Sequence, residues 1–142
     1  LTITEKELEI FSRQLILKDF KKKNFDLIRQ QHVIIIGVGG IGCPIAQYLL
    51  ATGIKKLTLI DNDVVQLSNL NRQILFTIHN LGQKKVHVAK EKLQGINPNC
   101  KINTISKKLS KENLTKSLLK PSIVCLKKLR ELMIFFPSQT TS

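Results

Sequence analysis

A cluster of glycines between an apolar run and a helix-length segment constrains this chain more than any other feature. Residues 33–36 are wholly apolar and rich in β-branched side chains, which is typical of a strand buried on both faces of a parallel sheet. Four glycines follow, at Gly37, Gly39, Gly40 and Gly42. Glycine permits a tight turn and, because it has no Cβ, lets another group approach the backbone closely. The pattern predicts a strand, a tight turn and a helix in succession.

A second strand is predicted over Lys56–Ile60, after the predicted helix over residues 40–52, and it ends in Asp61. Two strands separated by a helix are expected to lie parallel, with a right-handed crossover. The helix directs its N-terminal N–H groups and positive dipole end at the glycine turn, which favours an anion there. A carboxylate at the end of the second strand is placed to bind a ribose. These features together predict a nucleotide site.

The remaining patterns predict the α/β class, with a Rossmann-like, mostly parallel sheet of about four strands and helices on both faces. Further strands are predicted over residues 100–106 and 122–126, and further helices over 4–11, 21–31, 83–95 and 110–119. Thr4 and Glu7 form a capping box, and Gly53 ends the helix over 40–52. That helix carries an apolar stripe expected to pack on the sheet: Ile41, Ile45, Tyr48, Leu49 and Thr52.

Composition narrows the function classes. No apolar run approaches the ~20 residues of a membrane span, and the net charge of +13 accompanies only 5% aromatic residues and no basic helix. Nucleic-acid binding is therefore not favoured over a solvated lysine-rich surface or a basic site for ATP and an acidic partner protein. Three cysteines without a CxxC pair indicate a reducing, cytoplasmic setting without zinc. Among them, Cys43 is expected to fill the core.

A polar, irregular segment over residues 62–82 follows the second strand. It holds four polar side chains close together: Asn69, Asn71, Arg72 and Gln73. Ligands in open α/β sheets bind at this carboxyl end of the strands. Lys84 and Lys85 lie in the first turn of the next helix, where the dipole disfavours a cation, so they indicate a bound anion. Such a set suits a triphosphate, whereas no feature indicates a nicotinamide pocket.

Several segments resemble the ThiF/MoeB/HesA family, the bacterial relatives of ubiquitin-activating enzymes. They are SRQLIL, GVGGIGCPIAQYLLATGIKKLTLIDNDVVQLSNLNRQILF, GQKKV and INPN, which together cover roughly residues 5–106. The resemblance implies an adenylyltransferase that uses ATP and Mg²⁺. Its substrate would be the C-terminal glycine of a ubiquitin-like sulfur carrier ending in Gly-Gly, of the molybdopterin or thiamine pathway type.

The resemblance also implies roles for individual residues. Asp61 would bind the ribose, and Asn69 and Arg72 would face the phosphates together with Lys85. Arg13 would reach across a homodimer into the partner's site, so the expected catalytic residues are Arg13, Arg72 and Lys85. No residue is assigned as a metal ligand. The full nucleotide-binding set implied is Gly37, Gly39, Gly40, Gly42, Asp61, Asp63, Ser68, Asn69, Leu70, Asn71, Arg72, Gln73 and Lys85.

The sequence departs from the family in its last part. The family carries a DCTDN-like motif after its fourth strand, whose aspartate helps to hold Mg-ATP, but no aspartate follows Asp63 here. Residues 127–142 resemble no part of the family. We therefore expect one truncated ATP-binding domain over residues 1–142 with an unrelated tail. Two alternatives stay open: a non-catalytic nucleotide-binding or scaffold subunit, and a fragment of an NAD-binding oxidoreductase.

Overall fold

A four-stranded parallel sheet forms the centre of the computed structural model, which describes residues 3–18, 20, 22–108 and, for the backbone, 123–126. The strands are β1 (His32–Ile36), β2 (Lys56–Ile60), β3 (Lys101–Ile105) and β4 (Ile123–Leu126), in the order β3-β2-β1-β4. The α/β class and the parallel Rossmann-like sheet are thereby confirmed. None of the described helices has both the length and the apolar character needed to cross a membrane.

Five helices and two 3₁₀ turns are described around this sheet. They are α1 (Glu5–Ile10), α2 (Ser12–Leu15), α3 (Lys22–Gln30), α4 (Gly42–Ala51) and α5 (Lys85–Ile96), with the turns at Leu67–Asn69 and Ile78–Asn80. The predicted helix over 110–119 and the tail over 127–142 lie outside the described residues. The two crossovers from β1 to β2 and from β2 to β3 step in the same direction, so α4 and α5 lie on the same face. Between β3 and β4, the structure describes the chain only as far as residue 108.

Helix α4 packs on the sheet with its small side chains. Cys43, as predicted, is fully buried, together with Ala46 and Leu50. The predicted stripe is wrong at two of its five residues, because Ile41 is 50% exposed and Tyr48 is 76% exposed. Gln47 is the one polar side chain of this helix, so its periodicity alone cannot show which side faces inward. The small side chains let the helix approach the strands closely, which turns the larger residues outward.

A buried carboxylate ties the N-terminal helices to the sheet. Glu7 accepts hydrogen bonds from Nη2 of Arg29 at 3.0 Å and from Nζ of Lys55 at 2.8 Å. The predicted capping box is confirmed, since Thr4 N–H also donates to Glu7 at 3.1 Å. The hydrogen bond from Lys55, with help from the other donors, lowers the pKa of Glu7 to about 2, against the effect of burial. One side chain thus joins α1, α3 and the start of β2.

Phe11 anchors the same helices at the amino ends of the strands. Its ring lies 4.8 Å from that of Phe25, centroid to centroid, and both rings pack against Gly53. Gly53 has φ of 95°, so it ends α4 in the left-handed conformation, as predicted. A Cβ at Gly53 would lie 3.0 Å from the Phe11 ring. The chain therefore turns from α4 into β2 directly beneath this aromatic pair.

We expect Glu7→Gln to lower the free energy of unfolding at pH 7 by roughly 3 kcal/mol, because it removes the buried carboxylate 3.0 Å from Arg29 and leaves that cation, among the described carboxylates, only Asp26, at 3.9 Å. The wild-type pKa of Glu7 is depressed, so its contribution is present above pH 4.5 and is lost as the pH falls toward about 2. Urea unfolding between pH 2 and 7 measures both effects. Glu9→Gln, on the exposed side of α1, is the control. An equal pH slope in wild type and Glu7→Gln would contradict this assignment.

Candidate functional site

The glycine turn after β1 folds back on the start of α4. Gly37 has φ of 93°, and its N–H donates to the carbonyl of Ile60 at 2.8 Å. A Cβ added to Gly42 would overlap the carbonyl oxygen of Gly37, so this position requires glycine. The N–H of Cys43 donates to the carbonyl of Gly39 at 3.0 Å. The turn therefore brings the first N–H groups of α4 to the carboxyl end of β1.

Asp61 joins this turn to the loop that follows β2. The carboxylate is buried and accepts the N–H of Val38 at 2.7 Å and the N–H of Asp63 at 2.9 Å, one on each oxygen. The sequence predicted Asp61 at the end of the strand but did not show this backbone role. Each carboxylate oxygen has capacity for a second hydrogen bond. Asp61 can therefore hold the loop and still accept a ligand hydroxyl.

Arg72 lies against Gly40, which brings the two halves of the predicted site together. Its Cγ and Cδ lie 3.4 and 3.5 Å from the position that a Cβ on Gly40 would occupy. Its Nη1 donates to the carbonyl of Ser68 at 2.9 Å and to Oδ1 of Asn71 at 3.0 Å. The guanidinium group remains exposed. The methylene groups of Arg72 thus cover the glycine turn while its charge faces solvent beside it.

The other predicted site residues of this loop mainly stabilise its fold. Asn69 is buried, and its Oδ1 accepts the N–H of Gln66 at 3.1 Å, so this oxygen caps the 3₁₀ turn. Leu70 packs against the core. Gln73 is buried, and its Oε1 has no hydrogen-bond partner among the described residues. The segment from Asn69 to Gln73 therefore stabilises the loop and also presents Arg72 as its exposed cation.

Lys85 is a buried cation at the start of α5. Its side chain is 4% exposed, and Nζ lies 3.4 Å from Oδ2 of Asp63, whose side chain is 47% exposed. The N–H of Lys85 donates to the carbonyl of the same aspartate at 3.1 Å. Lys84 is exposed instead, with Nζ 3.2 Å from the carbonyl of Asn62. The segment from Asp61 to Asp63 therefore connects the glycine turn to Lys85.

Arg13 does not lie at this site in its own chain. It is exposed in α2, two residues after Phe11, which contacts Gly53 at the amino ends of the strands. Gly40 and Arg72 lie at the carboxyl ends. A five-residue strand is roughly 16 Å long, which exceeds the reach of an arginine side chain. The structure thus gathers the predicted residues from the turn, the loop and α5, but not Arg13.

Two titratable groups outside this site, Cys100 and His32, have shifted pKa values. Burial raises the pKa of the Cys100 thiol to about 11. His32 contacts Oγ1 of Thr58 at 2.9 Å through Nε2, and burial followed by the charge of Lys56 lowers its pKa. Within the described ranges, no group of three histidine, cysteine or acidic side chains converges. The charges available at the site are therefore those of the loop and of α5.

Comparison with known proteins places this arrangement in a family. The sequence profile of the ThiF family matches residues 11–127. The chain belongs to the ThiF family. Over 110 residues this ThiF chain is 44% identical to the molybdopterin-synthase adenylyltransferase of Haemophilus influenzae, covering 78% of the chain and 45% of the relative. It is 34% identical to the sulfur carrier protein adenylyltransferase of Thermus thermophilus, covering 78% and 41%.

Solved structures share the fold. The E. coli tRNA N6-threonylcarbamoyladenosine dehydratase TcdA, in complex with ATP, matches with a TM-score of 0.81 and 29% identity over 90% of this chain and 52% of TcdA. E. coli MccB, solved with MccA-N7isoASN, matches with a TM-score of 0.73 and 27% identity, covering 82% and 35%. The chain thus spans about half the length of these relatives or less. The resemblance inferred from the sequence is confirmed.

We expect Gly42→Ala to destabilise the fold by roughly 3 kcal/mol or more, because the added methyl group overlaps the Gly37 carbonyl and the backbone must move. Gly95→Ala, in helix α5 where no atom lies within 4 Å of the added Cβ, is the matched control. It should stabilise the fold by about 0.5–1 kcal/mol. Urea unfolding measures both. Equal effects of the two substitutions would contradict the described turn.

Proposed function

We propose that this ThiF domain binds ATP and supports adenylation of the C-terminal glycine of a ubiquitin-like sulfur carrier. The observation that carries the proposal is the contact of Arg72 with Gly40, which sets an exposed cation beside a backbone turn opening onto a helix N-terminus. Such a turn is suited to phosphate groups. The adenylyltransferase relatives and the ATP complex of TcdA support the choice of nucleotide.

In this proposal each element meets one part of ATP. Asp61 accepts a ribose hydroxyl with the lone pairs left by its two backbone bonds. The N–H groups between Gly39 and Gly42 receive phosphate oxygens. Arg72 and Lys85 neutralise the triphosphate, and Nζ of Lys85 turns from Asp63 toward the phosphates. A buried lysine is favourable only with an anion beside it, which the nucleotide then provides.

The proposed reaction is an in-line displacement at the α-phosphorus. An oxygen of the carrier's terminal carboxylate forms a bond to the α-phosphorus, and the bond to the bridging oxygen breaks. Pyrophosphate leaves with that electron pair, and an acyl adenylate remains. Arg72 and Lys85 stabilise the negative charge that spreads over the phosphate oxygens, so positioning and electrostatics supply most of the rate.

The expected Mg²⁺ fits the residues near Lys85. This ion commonly uses one or two carboxylates together with phosphate oxygens. The half-exposed carboxylate of Asp63 is such a group, since it lies beside the cation assigned to the phosphates. When bound, Mg²⁺ would supply shielding of the triphosphate charge.

The proposed partners are the carrier protein and a second copy of the chain. The relative named for a sulfur carrier protein supports a carrier of that class, and the relatives named for molybdopterin synthase support a carrier of the molybdopterin pathway. The proposed homodimer comes from the family resemblance, and it is consistent with the position of Arg13 at the far end of the strands from its own chain's site. If Arg13 acts on ATP, it acts in the site of the other copy.

We expect Arg72→Ala and Lys85→Ala each to weaken ATP binding about 10- to 100-fold, since each removes a charge-assisted hydrogen bond to phosphate. Calorimetric titration with ATP measures this. Lys90→Ala, on the exposed side of α5, is the control for the loss of a positive charge and should bind like wild type. Protection by NAD and none by ATP in a thermal-shift assay would instead indicate an oxidoreductase fragment.

Catalysis itself is tested by ATP–pyrophosphate exchange with a carrier ending in Gly-Gly. We expect carrier-dependent exchange in wild type and a loss of about a hundredfold or more in Arg72→Ala. ATP binding without any exchange would contradict the enzymatic proposal and favour a nucleotide-binding scaffold. If the chain shows no ATP binding and no exchange, the proposed function as a whole is contradicted.

A further inference from the structure

Strand β3 lies at the edge of the sheet. Among the strands that the structure describes, β2 is its only neighbour. The N–H of Lys101, the first residue of β3, donates to the carbonyl of Lys55 at 2.9 Å. Backbone groups alternate in direction along a strand, so Ile102 and Thr104 direct their N–H and C=O groups away from β2. These groups are the ones that a further strand would bond.

The face of the sheet beside this edge is basic. Lys56 and Lys101 are paired in the register of β2 and β3, so their side chains lie on the same face. Both are exposed, as is Asn103 on that face. Ile102 points to the opposite face, where it joins the core that α5 covers. A strand added beyond β3 would therefore place every second side chain on the basic face.

No acidic residue accompanies these lysines in the sequence. Residues 54–60 and 97–108 contain five lysines and neither Asp nor Glu. Lys55 pairs with Glu7, whereas Lys56 and Lys101 pair with no acidic side chain among the described residues. Opposite charges that face each other on neighbouring strands stabilise a sheet, and like charges destabilise it. The charge at this edge therefore favours an acidic segment.

Charge also argues against the chain itself as the occupant. A second copy would bring the same lysines to the same edge, and each copy carries a net charge of +13. Lysines on edge strands discourage such pairing. The sequence from 109 to 142 is basic as well, with six Lys/Arg and two Asp/Glu. Nucleic acid is less suited, because neither lysine-bearing segment contains an aromatic residue on which a base could stack.

We propose that the edge of β3 binds an extended acidic segment of a partner protein as an additional strand. The backbone of Ile102 and Thr104 bonds the segment, and every second side chain of the segment is an Asp or Glu on the face of Lys101 and Lys56. The inference goes beyond the proposed function, because these two lysines begin their strands whereas the nucleotide site lies at the carboxyl ends.

Fluorescence anisotropy with short labelled peptides, in the absence of ATP, tests the proposal separately from adenylation. The probe is a peptide of alternating glutamate and valine. The controls are a peptide with the same residues in two blocks and a peptide of alternating lysine and valine. We expect the probe to bind about tenfold or more tightly than either control, because only the probe forms a strand with acidic side chains on one face. Equal binding of the two acidic peptides, or no binding of the probe, would overturn the proposal.

Protein variants test the location of the surface. Lys101→Glu should weaken binding of the probe about tenfold or more, since it sets like charges on neighbouring strands. Lys90→Glu, on the exposed side of α5, makes the same change in net charge and should bind like wild type. Circular dichroism establishes that both variants are folded. Equal effects of the two substitutions would overturn the assignment to β3.

Methylation of the peptide backbone tests the hydrogen bonds while the protein stays unchanged. Only every second amide of an added strand faces its neighbour. Two probes, one N-methylated at the valines and one at the glutamates, should therefore differ, with binding abolished in one and retained in the other. Equal effects of the two modifications would overturn strand addition. Tighter binding of a single-stranded oligonucleotide than of the acidic probe would indicate a nucleic-acid surface and overturn the acidic partner.

Discussion

The carboxylate of Asp61 is the interaction on which the rest of the site depends. With one oxygen on the N–H of Val38 and the other on the N–H of Asp63, it fixes the glycine turn relative to the loop after β2. The same loop receives the N–H of Lys85, which determines where α5 begins. A single buried anion, neutralised by backbone dipoles, therefore sets the separation between the turn and the buried lysine.

Much of this architecture is predictable from the sequence, because local signals and packing agree. The strands are β-branched apolar runs, and Gly53 and the Thr4–Glu7 pair mark helix ends that the structure confirms. The motif residues could be placed at one edge of the sheet since parallel strands end together. That reasoning requires no knowledge of side-chain contacts.

Other features could not be read from the pattern for physical reasons. Helix α4 has Gln47 as its one polar side chain, so only its fit against the strands shows that Ala46 faces in and Tyr48 faces out. The contacts of Glu7 with Arg29 and Lys55 join residues 22 and 48 positions apart, and no local rule pairs them. The position of Arg13 likewise follows from where Phe11 packs rather than from its own surroundings.

A Cβ at position 42 would overlap the Gly37 carbonyl oxygen, and this has a consequence for family members that no longer catalyse adenylation. A chain drifting toward a purely structural role would still need glycine at position 42, because the requirement arises in folding. Lys85 is the opposite case, since burying its ammonium group disfavours the folded state unless an anion compensates. In a family member that has lost catalysis, we therefore expect replacement of that lysine by an apolar residue before loss of the glycines.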